Sequence, residues 1–200
     1  VGSEMCIRDS ESIANALPIV RKEIAATKKK KAVERSSIDQ RIDYRWIDLR
    51  TDENQLMFKA QSCFVNAMRK FLLDRNFIEI HTPKLIAAAS ESGSEVFKVD
   101  YFDRNAYLAQ SPQFYKQMAM AAGFERIFET GPVFRAEKSY TNKHSTEFSG
   151  FDLEFSYITS YKDVMKMEEE LLTAGLQAVK DNYGDQIKEM FGQEVIVPTT

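Results

Sequence analysis

The chain has little of what cross-links or punctuates a fold: two cysteines, five prolines, eight glycines and one tryptophan in 200 residues. Cys6 and Cys63 lie far apart and lack metal-type spacing, so no structural zinc site is expected. Cys63 falls in a helical pattern and reads as a reduced, buried thiol, the state that cytosol maintains. No apolar run approaches the ~20 residues of a membrane span, so a soluble, cytoplasmic protein with no membrane partner is expected. A net charge of −3 provides no global basic field, so any contact with nucleic acid has to be local. A regular βαβ alternation is absent, which argues against a Rossmann sheet. There is also no methionine at the start. Val1 to Ser10 has neither periodicity nor the apolar stretch of a signal peptide, and reads as a non-native scar. Val195-Ile196-Val197-Pro198 reads as the beginning of a strand or linker, so the sequence is expected to be cut at both ends.

Fourteen Phe, eight Tyr and 44% hydrophobic residues can fill one sizeable core, with room for an appendage. Residues 21–50 carry ten Lys or Arg against five acids and read as charged and connective. Lys28 to Lys31 reads first as a solvated helix face and only second as an RNA contact. Asp52 to Arg75 is a predicted helix, with Leu56, Cys63, Ala67 and Phe71 beside Phe64, Met68 and Leu72 at three- and four-residue spacing. Asn76 stops it as a left-handed cap, and Phe77 to His81 follows as a strand that Thr82-Pro83 ends. Lys84 to Ser94 reads as loop. Glu95–Phe102 and Ala106–Ala109 form a hairpin around Asp103-Arg104-Asn105. Ser111-Pro112 opens a helix, with Ser111 as N-cap and Pro112 as first residue, and Gly123 closes it. Ile127–Glu129, Val133–Glu137 and Glu147–Tyr157 are strands, and Tyr161–Asn182 is a long helix. This order predicts an α+β domain with a mainly antiparallel sheet flanked by helices.

The chemistry concentrates near the middle of the chain. Strand alternation puts Arg135 and Glu137 on one face. On the following strand Phe148, Gly150, Asp152 and Glu154 share a face, and Phe151, Leu153 and Phe155 point to the core. An arginine fork suits an α-phosphate or a carboxylate, and an aromatic ring can stack on adenine. The carboxylates can hold an ammonium group, an adenine amine or magnesium, and His144 can reach outer phosphates. Gln113 and Lys116, three residues apart near a helix N-terminus, suit a carboxylate. The plain alternatives are a surface ion pair for Arg135 and Glu137, edge packing for Phe148 and an ordinary loop histidine for His144.

Phe134-Arg135-Ala136-Glu137 through Glu154 resembles motif 2 of the class II aminoacyl-tRNA synthetases. The helix from Asp52 and the strand ending at Pro83 resemble motif 1. Tyr107 to Gln117 and Glu147 to Glu154 are similar to segments of the aspartyl branch, in its archaeal, eukaryotic or non-discriminating form, and the resemblance runs from about residue 40 to 180. It implies a class II catalytic domain, incomplete at its C-terminal end, within residues 51–200. Residues 11–50 would be the end of an anticodon-binding domain and a basic hinge. The activity implied is ligation of L-aspartate to tRNA through an aspartyl-adenylate, with ATP as substrate, by a homodimer joined through motif 1. Arg135 and Glu137 would be catalytic. Glu91, Ser111, Gln113, Lys116, Arg135, Asp152 and Glu154 would bind aspartate. Arg135, Glu137, Lys143, His144, Ser145 and Phe148 would bind ATP. Lys143 stands where the family has arginine, which keeps the charge but loses the fork. No metal ligand is assigned here, because the Mg2+ ligands and motif 3 are expected mostly beyond residue 200. The tRNA partner is tRNA-Asp, with tRNA-Asn left open. Rival readings are an asparaginyl enzyme, against which Lys116 argues, ammonia-dependent asparagine synthetase, and a non-catalytic paralogue that binds RNA or protein.

Overall fold

The computed structural model describes residues 17–20, 35–88, 96–137, 141 and 144–199. Val1 to Ser10, Lys28 to Lys31, Glu91 and Lys143 lie outside these. The chain divides into two compact units, Val1–Ser62 with Tyr183–Val195 and Cys63–Asn182 with Ile196–Thr200.

In the first unit, the stretch read as connective contains two short helices, α1 (Ile38–Asp43) and α2 (Arg45–Asp48), followed by the start of α3 (Asp52–Leu73). Ser37 Oγ accepts the Gln40 amide and so caps α1. α1 buries no residue, with Ile38 and Ile42 both exposed, and α2 buries only Ile47 beside Asp48. Their organiser is a carboxylate. Asp48 is fully buried and accepts from Arg41 Nε at 2.7 Å, Arg45 Nη1 at 2.6 Å and Asn54 Nδ2 at 3.0 Å. The Arg41 hydrogen bond works against burial and, with the Arg41 charge, Asn54 and Arg45, holds the Asp48 carboxyl below the usual carboxylate range. Three of the ten basic residues of 21–50, Arg35, Arg41 and Arg45, pair with Asp48.

The second unit has a parallel as well as an antiparallel pairing. Its first sheet has the order β1 (Ile78–Glu79), β5 (Arg126–Phe134), β6 (Glu147–Phe155), with β1–β5 parallel and β5–β6 antiparallel. Its second sheet is β2 (Leu85–Ile86), β4 (Arg104–Leu108), β3 (Lys98–Tyr101), all antiparallel. Asn76 takes φ 62° and ends α3 as the sequence predicts, since a short polar side chain tolerates the left-handed region. The strand expected over Phe77 to His81 shrinks to two residues, and the expected loop at Lys84 contains β2. The β3–β4 turn is also tighter than read. Tyr101 pairs with Arg104, so Arg104 and Asn105 belong to the strand and Phe102 turns the chain at φ 53°.

The two strands expected at Ile127–Glu129 and Val133–Glu137 are one, β5. Gly131 and Pro132 suggest a break, but the register explains why none occurs. Phe128 O accepts from Ile80 N and Phe134 N donates to Ala109 O, so even-numbered residues of β5 direct their backbone groups away from β6. Pro132 shares that parity, and β1 has already ended there, so its missing N–H breaks no ladder bond. α4 (Gln113–Ala121) begins one residue later than read, with Pro112 in the N-cap place. Ser111 Oγ still accepts the Gln113 amide at 3.1 Å. Gly123, at φ 93°, closes the helix. α5 runs from Tyr161 to Phe191, nine residues beyond its expected end.

The core gathers Met68, Leu72, Phe77, Phe128 and Leu171, with Phe64, Phe71, Phe151, Leu153 and Phe155 packed against it. Leu72 and Phe128 have no exposed surface, which is worth roughly 1.5–3 kcal/mol each. Phe128 stacks on Phe151 at 5.9 Å. The core face of β6 is thus the Phe151–Leu153–Phe155 face, as alternation predicts. α5 approaches α3 closely at Gly175, where a Cβ would lie 2.6 Å from the Phe64 ring. Cys63 is free and half-buried rather than buried.

Candidate functional site

The β5–β6 register defines the other face. Ile127 pairs with Glu154, Glu129 with Asp152, Gly131 with Gly150 and Val133 with Phe148, and paired residues project to the same side. Arg135 continues the ladder by donating its amide to Thr146 O at 2.9 Å. From one end to the other, this face carries Arg135 and Phe148, the facing glycines, and then Glu129, Asp152 and Glu154. Phe148 and Asp152 are four residues apart, about 13 Å along the strand.

At the first end, Arg135, Glu137, His144, Ser145 and Phe148 line a cavity of about 210 Å³. The Arg135 guanidinium carbon sits 5.4 Å from the centre of the Phe148 ring, within cation–π range, and Phe148 remains 39% exposed. Glu137 reaches the cavity by a different route from the one read. β5 ends at Phe134, and a three-residue turn, Glu137 N to Arg135 O at 2.8 Å, replaces strand alternation. His144 is held by Thr141, whose hydroxyl lies 2.6 Å from Nδ1. A guanidinium, an imidazole and an open aromatic face around one cavity suit a planar base with attached phosphate.

At the second end, Lys116 of α4 is buried and points at β6. Its ammonium lies 2.9 Å from Asp152 Oδ1, 3.4 Å from Glu154 Oε2 and 3.4 Å from the Leu153 carbonyl. Of the options read for these carboxylates, the structure fills the ammonium one, using the protein's own lysine. Lys116 offsets one of the two negative charges of Asp152 and Glu154. Among the described residues no group of three or more His, Cys, Asp or Glu side chains could hold a metal ion. Ser111 and Gln113 lie at the start of the helix that carries Lys116.

Sequence reading missed Glu129, Thr82 and Lys84. Glu129 is 2% exposed and accepts from Thr82 N at 3.1 Å, Thr82 Oγ1 at 2.7 Å and Lys84 Nζ at 2.7 Å. Burial pushes its carboxyl up, but Lys84 and the Thr82 donors outweigh this and hold it below the usual range. Lys84 O in turn accepts from Ala109 N at 2.9 Å, so the Thr82–Lys84 segment ties β5 to the approach to Ser111. The missed signal was parity. With β5 read as one strand, Glu129 falls on the face of Arg135.

A cavity of about 600 Å³ lies among α3, β6 and α5, lined mainly by Phe64, Met68, Phe151, Leu153, Leu171 and Leu172. Its lining is mostly apolar, but Asp152, Glu154 and Glu168 also border it.

A cavity lined by Arg135, His144 and Phe148 and a buried lysine–carboxylate cluster at Lys116 share one face of an antiparallel ribbon. The chain belongs to the tRNA synthetases class II (D, K and N), a family that matches residues 37–195. It is 49% identical over 155 residues to the aspartate–tRNA(Asp/Asn) ligase of Methanopyrus kandleri, covering 78% of this chain and 36% of that protein. It is 46% identical over 150 residues to the cytoplasmic aspartate–tRNA ligase of Homo sapiens, covering 75% of this chain and 30% of that protein. The crystal structure of asparaginyl-tRNA synthetase from Pyrococcus horikoshii complexed with asparaginyl-adenylate superimposes with a TM-score of 0.73 and 36% identity, covering 77% of this chain and 35% of that one. The chain thus spans about a third of the length of these relatives.

Proposed function

We propose that residues 51–200 are the N-terminal part of the catalytic domain of an aspartate–tRNA ligase, and that 11–50 end an anticodon-binding domain and form its hinge. The whole enzyme activates L-aspartate with ATP and passes the aspartyl group to tRNA-Asp. The observation that carries this reading is the buried Lys116 ammonium, on the same sheet face as the Arg135–Phe148 cavity. A cation in the amino-acid pocket suits an acidic side chain and leaves a neutral amide poorly matched.

In this reading adenine stacks on Phe148, and Arg135 leaves the ring to grip the α-phosphate. His144 and Ser145 lie along the phosphates, with Lys143, and Glu137 contacts adenine or the tRNA end. Ser111, Gln113 and Lys116 receive aspartate, Glu91 binds its ammonium, and Asp152 fixes Lys116. The α-carboxylate oxygen attacks the α-phosphorus in line, the bond to the bridging oxygen breaks, and pyrophosphate leaves. Such a step depends on positioning and on neutralising charge, for which no covalent nucleophile is required.

A homodimer through the α1–α3 region is supported by Ile38, Ile42 and Trp46, which are 60–68% exposed, with Met57 and Phe58 half exposed beside them. A cytoplasmic location follows the human relative's name; among the described residues no helix is long and apolar enough to cross a membrane. The alternative is an asparaginyl enzyme, since the Pyrococcus asparaginyl-tRNA synthetase shares the fold at 36% identity. ATP–pyrophosphate exchange by the full-length protein separates the two. Dependence on aspartate is expected, and dependence on asparagine alone refutes the assignment.

A further inference from the structure

An ammonium group has three N–H donors. On Lys116 hydrogen bonds go to Asp152 Oδ1 at 2.9 Å and the Leu153 carbonyl at 3.4 Å, and Glu154 Oε2 lies 3.4 Å away as an ion pair. The Lys116 side chain is 5% exposed, so an incoming carboxylate cannot simply add to it from solvent. One resident contact has to yield. The Leu153 carbonyl belongs to a paired strand residue and is fixed. Asp152 makes the short hydrogen bond. Glu154 makes the looser contact, has one more rotatable bond and is 29% exposed, so water can receive its carboxylate when it turns away.

We propose that Glu154 is a resident counter-ion that occupies the place of the substrate's side-chain carboxylate on Lys116 and is exchanged for it on binding. This rests on the aspartate reading of the pocket. The exchange swaps one carboxylate for another, so the charge around the buried ammonium is unchanged when aspartate binds. Asparagine brings no charge. To take the same place it would leave Lys116 with one carboxylate fewer in a site that solvent scarcely reaches, and that loss is unfavourable. Glu154 therefore lowers affinity for the correct amino acid. It acts through Lys116 as a positioning residue that tempers affinity, rather than as a ligand of the substrate.

The test is Glu154→Gln in the full-length protein, with ATP–pyrophosphate exchange measured against aspartate, ATP and asparagine. Removing a partly exposed competing charge is expected to lower KM for aspartate by about three- to fivefold. The inhibition constant of asparagine should fall by a similar factor, because asparagine no longer has a carboxylate to displace, while kcat and KM for ATP should each stay within about twofold. A raised aspartate KM, a lowered kcat or no change overturns the proposal while leaving aspartate activation intact. A wild-type protein without aspartate-dependent exchange removes the underlying reading and the proposal together. Should Glu154→Gln not fold, Glu154→Asp draws the carboxylate back by one methylene and is expected to lower the aspartate KM in the same sense. A crystal structure with aspartate bound gives the direct readout. Glu154 beyond about 4 Å from Lys116 Nζ supports exchange, and a retained contact refutes it.

Discussion

Glu129→Gln changes charge with almost no change of shape, at a carboxylate that is 2% exposed. The amide oxygen can still accept from Thr82 N. What is lost is the ion pair with Lys84 at 2.7 Å and the charge on the acceptor of the Thr82 hydroxyl bond. Breaking a fully buried pair costs about 3–5 kcal/mol. Lys84 retains 22% exposure and can partly rehydrate, so about 2 kcal/mol at pH 7 is expected, within the range for hydrogen bonds to charged groups. The pH dependence has a definite sign. The folded carboxyl ionises below its ordinary range, so its stabilisation is complete above the unfolded value of about 4.3 and is lost as pH falls through the lower folded value. Urea unfolding of both proteins at several pH values should show the largest gap at neutral pH, closing under acid as the wild-type carboxyl protonates. No gap at pH 7, or a gap that stays constant into acid, would refute the account of Glu129 as a charged clamp.

Gly175→Ala gains helix propensity but places a Cβ 2.6 Å from the Phe64 ring and 3.0 Å from Met68 Cγ; a loss of about 1–3 kcal/mol is expected in thermal unfolding, and an unchanged or higher Tm contradicts the close α3–α5 approach. Asn76 sits at φ 62°, so Asn76→Gly should be tolerated, while Asn76→Val should cost about 1–2 kcal/mol; equal urea midpoints for the two would show that the left-handed cap does not matter. Lys116→Ala in the full-length protein should raise KM for aspartate far more than KM for ATP, and equal effects would remove it from side-chain recognition. Arg135→Ala should lower ATP–pyrophosphate exchange by about 10²-fold or more, and near-normal exchange would place Arg135 outside the reaction.

The ligand face was legible because β6 alternates over its second half: Phe151, Leu153 and Phe155 are apolar, and Gly150, Asp152 and Glu154 between them are not. The helix from Asp52 was legible because its apolar positions recur at helical spacing. β5 was misread because local residue preference was weighed without register. Gly131 and Pro132 look like a break, but the backbone direction that makes Pro132 harmless depends on which neighbour lies on which side. That misreading also concealed Glu129. The helices at Ile38 and Arg45 were missed for a different reason. They are organised by a buried ion-pair cluster around Asp48, and such a cluster leaves no hydrophobic period. The partners of Lys116 combine the two cases. Its residue type suggested an acidic substrate, but the protein's own carboxylates on it came from tertiary packing.

Gly131 and Gly150 face each other in the middle of the ribbon, with Pro132 beside them. A cross-strand pair without side chains contributes no packing between strands, and each glycine weakens a strand by roughly 0.5–1 kcal/mol. The ribbon is therefore softest between the two halves of the site, while Phe128 and Leu153 anchor it in the core. Amide hydrogen exchange should follow this division, faster at residues 149–151 than at residues 153–155 in the empty protein. A ligand that reaches from Phe148 to Lys116 would lie across the soft segment and slow exchange there most. The protein would then report occupancy of its site as stiffness at a place that has no side chains to touch the ligand.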